Sequence, residues 1–267
     1  MMTAEESLKQ GDIDKALQLL QDQIRSDPSD AKLRVFLFQL LVLLGNWDRA
    51  ITQLNVAADM DHSAIAMKMM YSQVLNAEAF RESVFQGEKE PVIFGEPQEW
   101  VALLIQALKL SSQGHHQQAA ALRAQAFDAA PATAGDIDGK AFTWIADADP
   151  RLGPILEAVI EGRYMWVPFE NISSIVIEEP EDLRDLVWLP AHFQWTNGGE
   201  SYGLIPTRYP DSYRSDDPQV VLSRKTEWKE MAEDFFVGYG PRLLTTNDDE
   251  HCILSTRLIR LGEDLDA

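Results

Sequence analysis

The chain has 267 residues, 45% of them hydrophobic and 25% charged, the make-up of a globular protein large enough to hold a core without metal or disulfide. Its single cysteine, Cys252, has no internal partner, and the net charge of −20 argues against nucleic acid and anionic lipid, which are gripped by Lys and Arg. The N-terminus lacks a basic stretch followed by an apolar run, and Val35–Leu44, broken by Gln39, is far short of the ~20 residues that span a bilayer, so a cytoplasmic location is expected.

In chain order, residues 1–131 read as helices. Thr3 and Glu6 form a capping-box pattern, and Pro28-Ser29-Asp30 ends one helix and caps the next. Gly11-Asp12-Ile13-Asp14-Lys15-Ala16 is matched at an offset of 34 by Gly45-Asn46-Trp47-Asp48-Arg49-Ala50, the period of a tetratricopeptide repeat. A third copy starts at Gly114 and carries Ala119, with a degenerate unit around Ser63–Phe85 and a Pro91–Pro97 loop before it. Glycine permits the tight turn between paired helices, and the small alanine lets them approach closely. The pattern predicts Gly11, Gly45 and Gly114 in turns and Ala16, Ala50 and Ala119 at buried contacts.

The helix Ala31–Leu44 is apolar nearly all round, as an inner helix of a stack would be. An uncovered strip of Phe36, Phe38, Leu40 and Leu41, flanked by Lys32, Arg34 and Gln39, would suit the apolar face of an incoming amphipathic helix. The competing reading makes all of these residues core.

A boundary is expected at Pro131–Asp136, a small, polar, helix-breaking stretch. Residues 1–131 carry a net −6 and residues 132–267 a net −14. The second part reads as a small mixed α/β domain with a mainly antiparallel sheet, able to separate from the first. Strand-like runs fall at Ile172–Ile177, Leu186–Leu189, Phe193–Thr196, Tyr202–Ile205, Val220–Leu222 and Cys252–Leu258, with Asn197-Gly198-Gly199 as a hairpin signal. Leu152–Ile160 and Lys225–Val237 are expected to be helical.

Signals for chemistry are weak. Gly199-Glu200-Ser201-Tyr202-Gly203 has the hydrolase spacing, but strand-like Leu204-Ile205-Pro206 follows where a helix is required. His62, His115, His116, His192 and His251 lack ligand spacing. Asp136-Ile137-Asp138-Gly139 lacks the closing Glu of a calcium loop, and Asp147 and Asp149 fit caps and turns better than an acid/base pair. No cofactor motif is present. A cluster of Arg151, Trp188, Arg208, Tyr209 and Arg242 is the best candidate for an enzyme site of unknown reaction.

Five stretches of the second part, Asp149–Pro154, Asp185–Ala191, Ile205–Pro210, Arg224–Trp228 and Gly238–Thr246, resemble the ImpE/SciE/TagJ family of type VI secretion accessory proteins. The resemblance extends over the whole chain. It implies a non-enzymatic helper of a contractile secretion machine, associated with the small sheath subunit and with the AAA+ ATPase that recycles the sheath. It supplies no catalytic residues. An adaptor or chaperone-like binder of a helical sheath segment is therefore the leading expectation, ahead of an enzyme or a tetratricopeptide scaffold of another pathway.

Overall fold

Gly11, Gly45 and Gly114 have φ of +85°, +68° and +81°, a left-handed conformation that glycine alone adopts without cost. Each turns the chain between two antiparallel helices, and Ala16, Ala50 and Ala119 are fully buried at the contacts, as the repeat requires. The structure, a computed structural model, describes residues 2–96 and 98–262. Its helical pairs are α1 (Ala4–Lys9) with α2 (Ile13–Ser26), α3 (Ala31–Leu43) with α4 (Trp47–Met60), and α6 (Glu99–Ser112) with α7 (His116–Ala129). Between the second and third pairs runs the long α5 (Ile65–Phe85). Thr3 and Glu6 close a capping box on α1, and Asp12 and Asp30 cap α2 and α3. Among the described residues no helix is long and apolar enough to cross a membrane.

Past α7 the chain is mostly strand, and most pairing is antiparallel. The large sheet has nine strands in the order β1-β6-β5-β9-β8-β7-β14-β2-β3. These are β1 (Val92–Ile93), β2 (Gly135–Ile137), β3 (Lys140–Phe142), β5 (Ile155–Ile160), β6 (Arg163–Pro168), β7 (Ile172–Ile177), β8 (Trp188–Trp195), β9 (Glu200–Pro206) and β14 (Leu258–Leu261). The outlier is β1, which comes from the loop before α6 and pairs parallel with β6. A small sheet holds β4 (Ile145–Asp147), β12 (Leu243–Thr246) and β13 (Glu250–Cys252). A separate hairpin joins β10 (Glu227–Ala232) to β11 (Phe235–Tyr239).

Three local expectations are corrected. Leu152–Ile160 is not a helix: Ile155–Ile160 is β5, buried on both faces, so it lacks the alternation that marks a half-exposed strand. Lys225–Val237 is the β10–β11 hairpin, turned at Asp234 with φ +56°. Its exposed outer strand, dense in charge, mimics a helical pattern. Val220–Leu222 is not a strand; it ends a one-turn helix, α8 (Pro218–Val221), which Asp217 caps and Pro218 starts. The Cys252–Leu258 run is divided by a 3-10 turn at Ile253–Ser255, so its ends join different sheets.

The change from helix to strand falls at 130–134, and the apolar core does not stop there. One cluster joins Phe38, Leu41, Leu54, Tyr71 and Leu104 of the helices to Leu152, Ile155, Trp166, Trp188 and Leu222 beyond them. A second core, with Leu156, Phe193, Ile205 and Ile259, lies on the opposite face of the large sheet.

Candidate functional site

The expected binding strip on α3 is largely closed. Phe38, Leu40 and Leu41 are fully buried and Gln39 nearly so, which corrects their assignment to an exposed surface. Phe38 packs edge-on against Tyr71 with ring centroids 5.5 Å apart. The cover comes from α2 and α4 and from a 3-10 turn of the second half, Leu183–Leu186. Arg34 turns to α4, donating to Gln53 Oε1 at 3.0 Å. Only the start of α3 stays open. Lys32, Leu33, Val35, Phe36 and Gln39 face Pro180–Leu186 across a groove of about 570 Å³. Its floor is half-buried and apolar, and Glu5, Glu181 and Asp182 stand on its walls.

Of the second-half cluster, Trp188, Arg208, Tyr209 and Arg242 are buried in or against one ion network, with Arg151 beside it. Arg242, with no exposed surface, donates to Asp147 and Glu157 and to the Pro206 carbonyl at 3.1 Å. Arg81 of α5 reaches Glu157 with Nε at 2.7 Å and Nη2 at 3.0 Å. It also donates to Glu78 at 3.0 Å and to the Arg208 carbonyl at 2.8 Å. Tyr164 donates to Glu157 at 2.5 Å, Trp166 to Tyr164 at 2.7 Å, and Trp188 to Glu78 at 2.9 Å. The Tyr209 hydroxyl accepts from the Leu243 N–H at 3.0 Å, and its ring lies 5.4 Å from the Arg242 guanidinium. Arg151 forks onto Asp149, which also accepts from the Gly238 N–H at 3.0 Å.

The electrostatics follow from this geometry. Burial pushes the Glu157 carboxyl up, but the Arg81 and Arg242 charges overcome it and hold the pKa at about 2. Asp147 shares Arg242 with Glu157 and has Asp149 nearby, and burial pushes it up to about 6. Among the described residues Arg208 forms no salt bridge, and burial lowers it to about 10.

Four guanidiniums, from Arg81, Arg151, Arg208 and Arg242, thus stand among four carboxylates, from Glu78, Asp147, Asp149 and Glu157. The space beside Glu78, Arg81 and Arg208 measures about 10 Å³, room for a water, while a cavity of about 380 Å³ opens on the Asp147 side, lined by Trp144, Pro150 and Phe127. The arrangement binds the helices to the sheet. Glu78, Arg81, Glu157 and Tyr164 escaped the sequence reading. The available signal was charge inside apolar stretches: Glu157 within Ile155–Ile160, and Glu78 and Arg81 at i, i+3 on α5.

The segment after β9 closes the repeat turns. Arg208 donates to the Leu43 carbonyl at 2.9 Å and the Val221 carbonyl at 3.0 Å, the last residues of α3 and α8. Arg224 donates to the Leu8 and Lys9 carbonyls at 2.9 and 3.2 Å, at the end of α1. A cation there satisfies free carbonyls and opposes the helix dipole. Tyr213 lies over Gly45, where a Cβ would fall 2.3 Å from the ring, and Gln219 lies beside Gly11. A Cβ at Gly114 would meet nothing within 4 Å.

The other motifs have structural partners. Ser201 lies in β9 and accepts from Trp195 Nε1 at 3.1 Å. Asp136 accepts from the Gly139 N–H at 3.0 Å and pairs with Arg260 at 2.7 Å, so Asp136–Gly139 is the β2–β3 turn.

Comparison with known proteins gives a consistent picture. A tetratricopeptide repeat profile matches residues 7–74, and one described as ImpE protein matches residues 139–260. The type VI secretion system accessory component TagJ of Pseudomonas aeruginosa is 48% identical over 256 residues, covering 96% of this chain and 90% of that protein. The crystal structure of protein VPA1032 from Vibrio parahaemolyticus superposes with a TM-score of 0.89 at 24% identity over 98% of both chains, a likeness of fold.

Proposed function

This chain belongs to the ImpE family, and we propose that it is a non-enzymatic, cytoplasmic accessory factor of a type VI secretion system that binds a helical segment of the small sheath subunit. The observation that carries the reading is the groove at the start of α3. There Leu33, Val35 and Phe36 stay half-buried while the rest of the same helix is sealed. An amphipathic helix laid there would cover the apolar floor and meet Glu5, Glu181 and Asp182 with basic flanks. Lys32 would set its orientation. The accessory role of the relative TagJ favours a binder over an enzyme.

The test is titration of a synthetic N-terminal helix of the small sheath subunit. Phe36→Asp should abolish binding while leaving the melting temperature nearly unchanged. Phe38→Asp, at a fully buried position, should unfold the protein. Undiminished binding by a folded Phe36→Asp variant would move the site elsewhere. The sheath-recycling ATPase is a second proposed partner, checked by its retention with the purified chain.

A further inference from the structure

The helices cover only part of one face of the large sheet. Strand register defines the uncovered part. Tyr202 of β9 pairs with His192 of β8, His192 with Val176 of β7, and Val176 with Leu258 of β14. Partners across strands point to one side, so these four residues form a row. Tyr202 is 77% exposed and Val176 46%, and the His192 ring stacks on Tyr202 at 4.5 Å. On the same face, Glu157 of β5 and Trp188 of β8 lie under the helices, fully buried.

The edge of the cover is α5, and its outer side is apolar. Ile65, Met69 and Met70 are 41%, 66% and 45% exposed, with Ile65 and Met69 one turn apart. Between this helix side and the sheet row runs a groove of about 350 Å³ floored by Val74, Val159, Pro190 and Leu204. The exposed apolar side chains of α5 thus adjoin, through Met70, a groove that ends at the His192–Tyr202 row. Methionine is the residue that adapts to an incoming apolar face.

The geometry points to this surface as a second docking site, distinct from the α3 groove, for a cationic amphipathic helix. A helix laid beside α5 would continue the helix layer over the bare sheet, the ordinary way to cover one. The charge selects its flanks. Glu161 and Glu178 line the groove, and no lysine or arginine does among the described residues. Glu200 stands next to His192. Arg163 lies 3.7 Å from Glu161, but both are largely exposed, so that pair is weak. A partner helix with leucine-like residues on one side and Lys or Arg at its borders matches the patch on both counts.

The probe is a synthetic leucine–lysine amphipathic helix of about 18 residues, titrated into protein carrying carbon-13 methionine methyls. Of the eight methionines, the Met69 and Met70 signals should shift first. Met69→Glu with Met70→Glu should weaken binding by about tenfold or more at unchanged melting temperature. These substitutions add negative charge, so any merely electrostatic attraction to a chain of net charge −20 would strengthen instead. Phe36→Asp, in the other groove, should leave this affinity unaltered. The proposal fails if the shifts spread over all methionines or are absent, if the double variant binds as well as the parent, or if a leucine–glutamate helix binds equally. It also fails if sedimentation finds a dimer that the double variant dissolves, since the occupant would then be a second copy.

Discussion

Replacing Gly45 and Gly114 separately by alanine measures how firmly the sheet half is docked on the repeats. Both glycines have positive φ, +68° and +81°, so both substitutions carry the same backbone cost of about 1–2 kcal/mol. Any gain from a stiffer unfolded chain is also shared. The surroundings differ. A Cβ at Gly114 meets nothing, whereas one at Gly45 falls 2.3–2.7 Å from three atoms of the Tyr213 ring. The ring must leave. It then loses its edge contact with Trp47, at 5.6 Å, worth about 0.5–1.5 kcal/mol. Its 2.9 Å hydrogen bond to Glu82 goes too, worth about 1.5 kcal/mol for a half-exposed bond to a carboxylate. Gly45→Ala should therefore cost about 2–3 kcal/mol more than Gly114→Ala in urea-induced unfolding. Adding Tyr213→Ala should erase the difference, because the clash and the contacts vanish together. Equal costs for the two glycine variants would refute the claim that Tyr213 seals this turn.

Ala50→Leu, at a fully buried helix contact, should destabilise by about 1–3 kcal/mol through overpacking, read as a lower melting temperature. Glu157→Gln should cost about 3–5 kcal/mol at neutral pH, since it strips charge from between Arg81 and Arg242. The folded pKa of Glu157, about 2, lies below the ordinary 4.5, so its stabilisation is complete above pH 4.5 and lost as pH falls toward 2; the variant should lack that part of the acid limb. Asp147 has the opposite sign. Its pKa rises from 3.8 to about 6, so its contribution declines as pH rises from about 4 to 6, a decline that Asp147→Asn should remove from the stability–pH curve. A fragment of residues 1–131 should not melt cooperatively in calorimetry, because α3 and α5 would lose the Trp188 and Leu222 side of their core; a sharp two-state transition would restore the separable halves read from the sequence.

The repeat was legible because its determinants are local. A glycine, a five-residue step and an alanine fix a helical turn whatever lies around it. The fate of α3 was not, because part of its cover is supplied by residues 183–222, at least 140 positions away. An apolar side chain looks the same in sequence whether its own chain or a partner buries it. The arginine cluster was visible by residue type, its ion partners less so. Its arginines are conspicuous, whereas two of the carboxylates that occupy them, Glu157 and Glu78, sit in a strand that reads as apolar and on the distant helix α5. The misassigned Ile155–Ile160 has the same origin: burial from both faces erases the period that would have marked a strand.

The arginines at the ends of the first and third helices bear on the timing of synthesis. The Leu43 carbonyl waits for a residue 165 positions later, and the Leu8 carbonyl for one 216 later. At about 5–20 residues per second those helix ends go without their partners for roughly 10–40 s after leaving the ribosome. Through that interval the oiliest helix of the molecule is exposed to whatever is nearby. Newly made chains are then most prone to clump or to be captured by a chaperone, and the hazard ends only when the last fifth of the chain arrives.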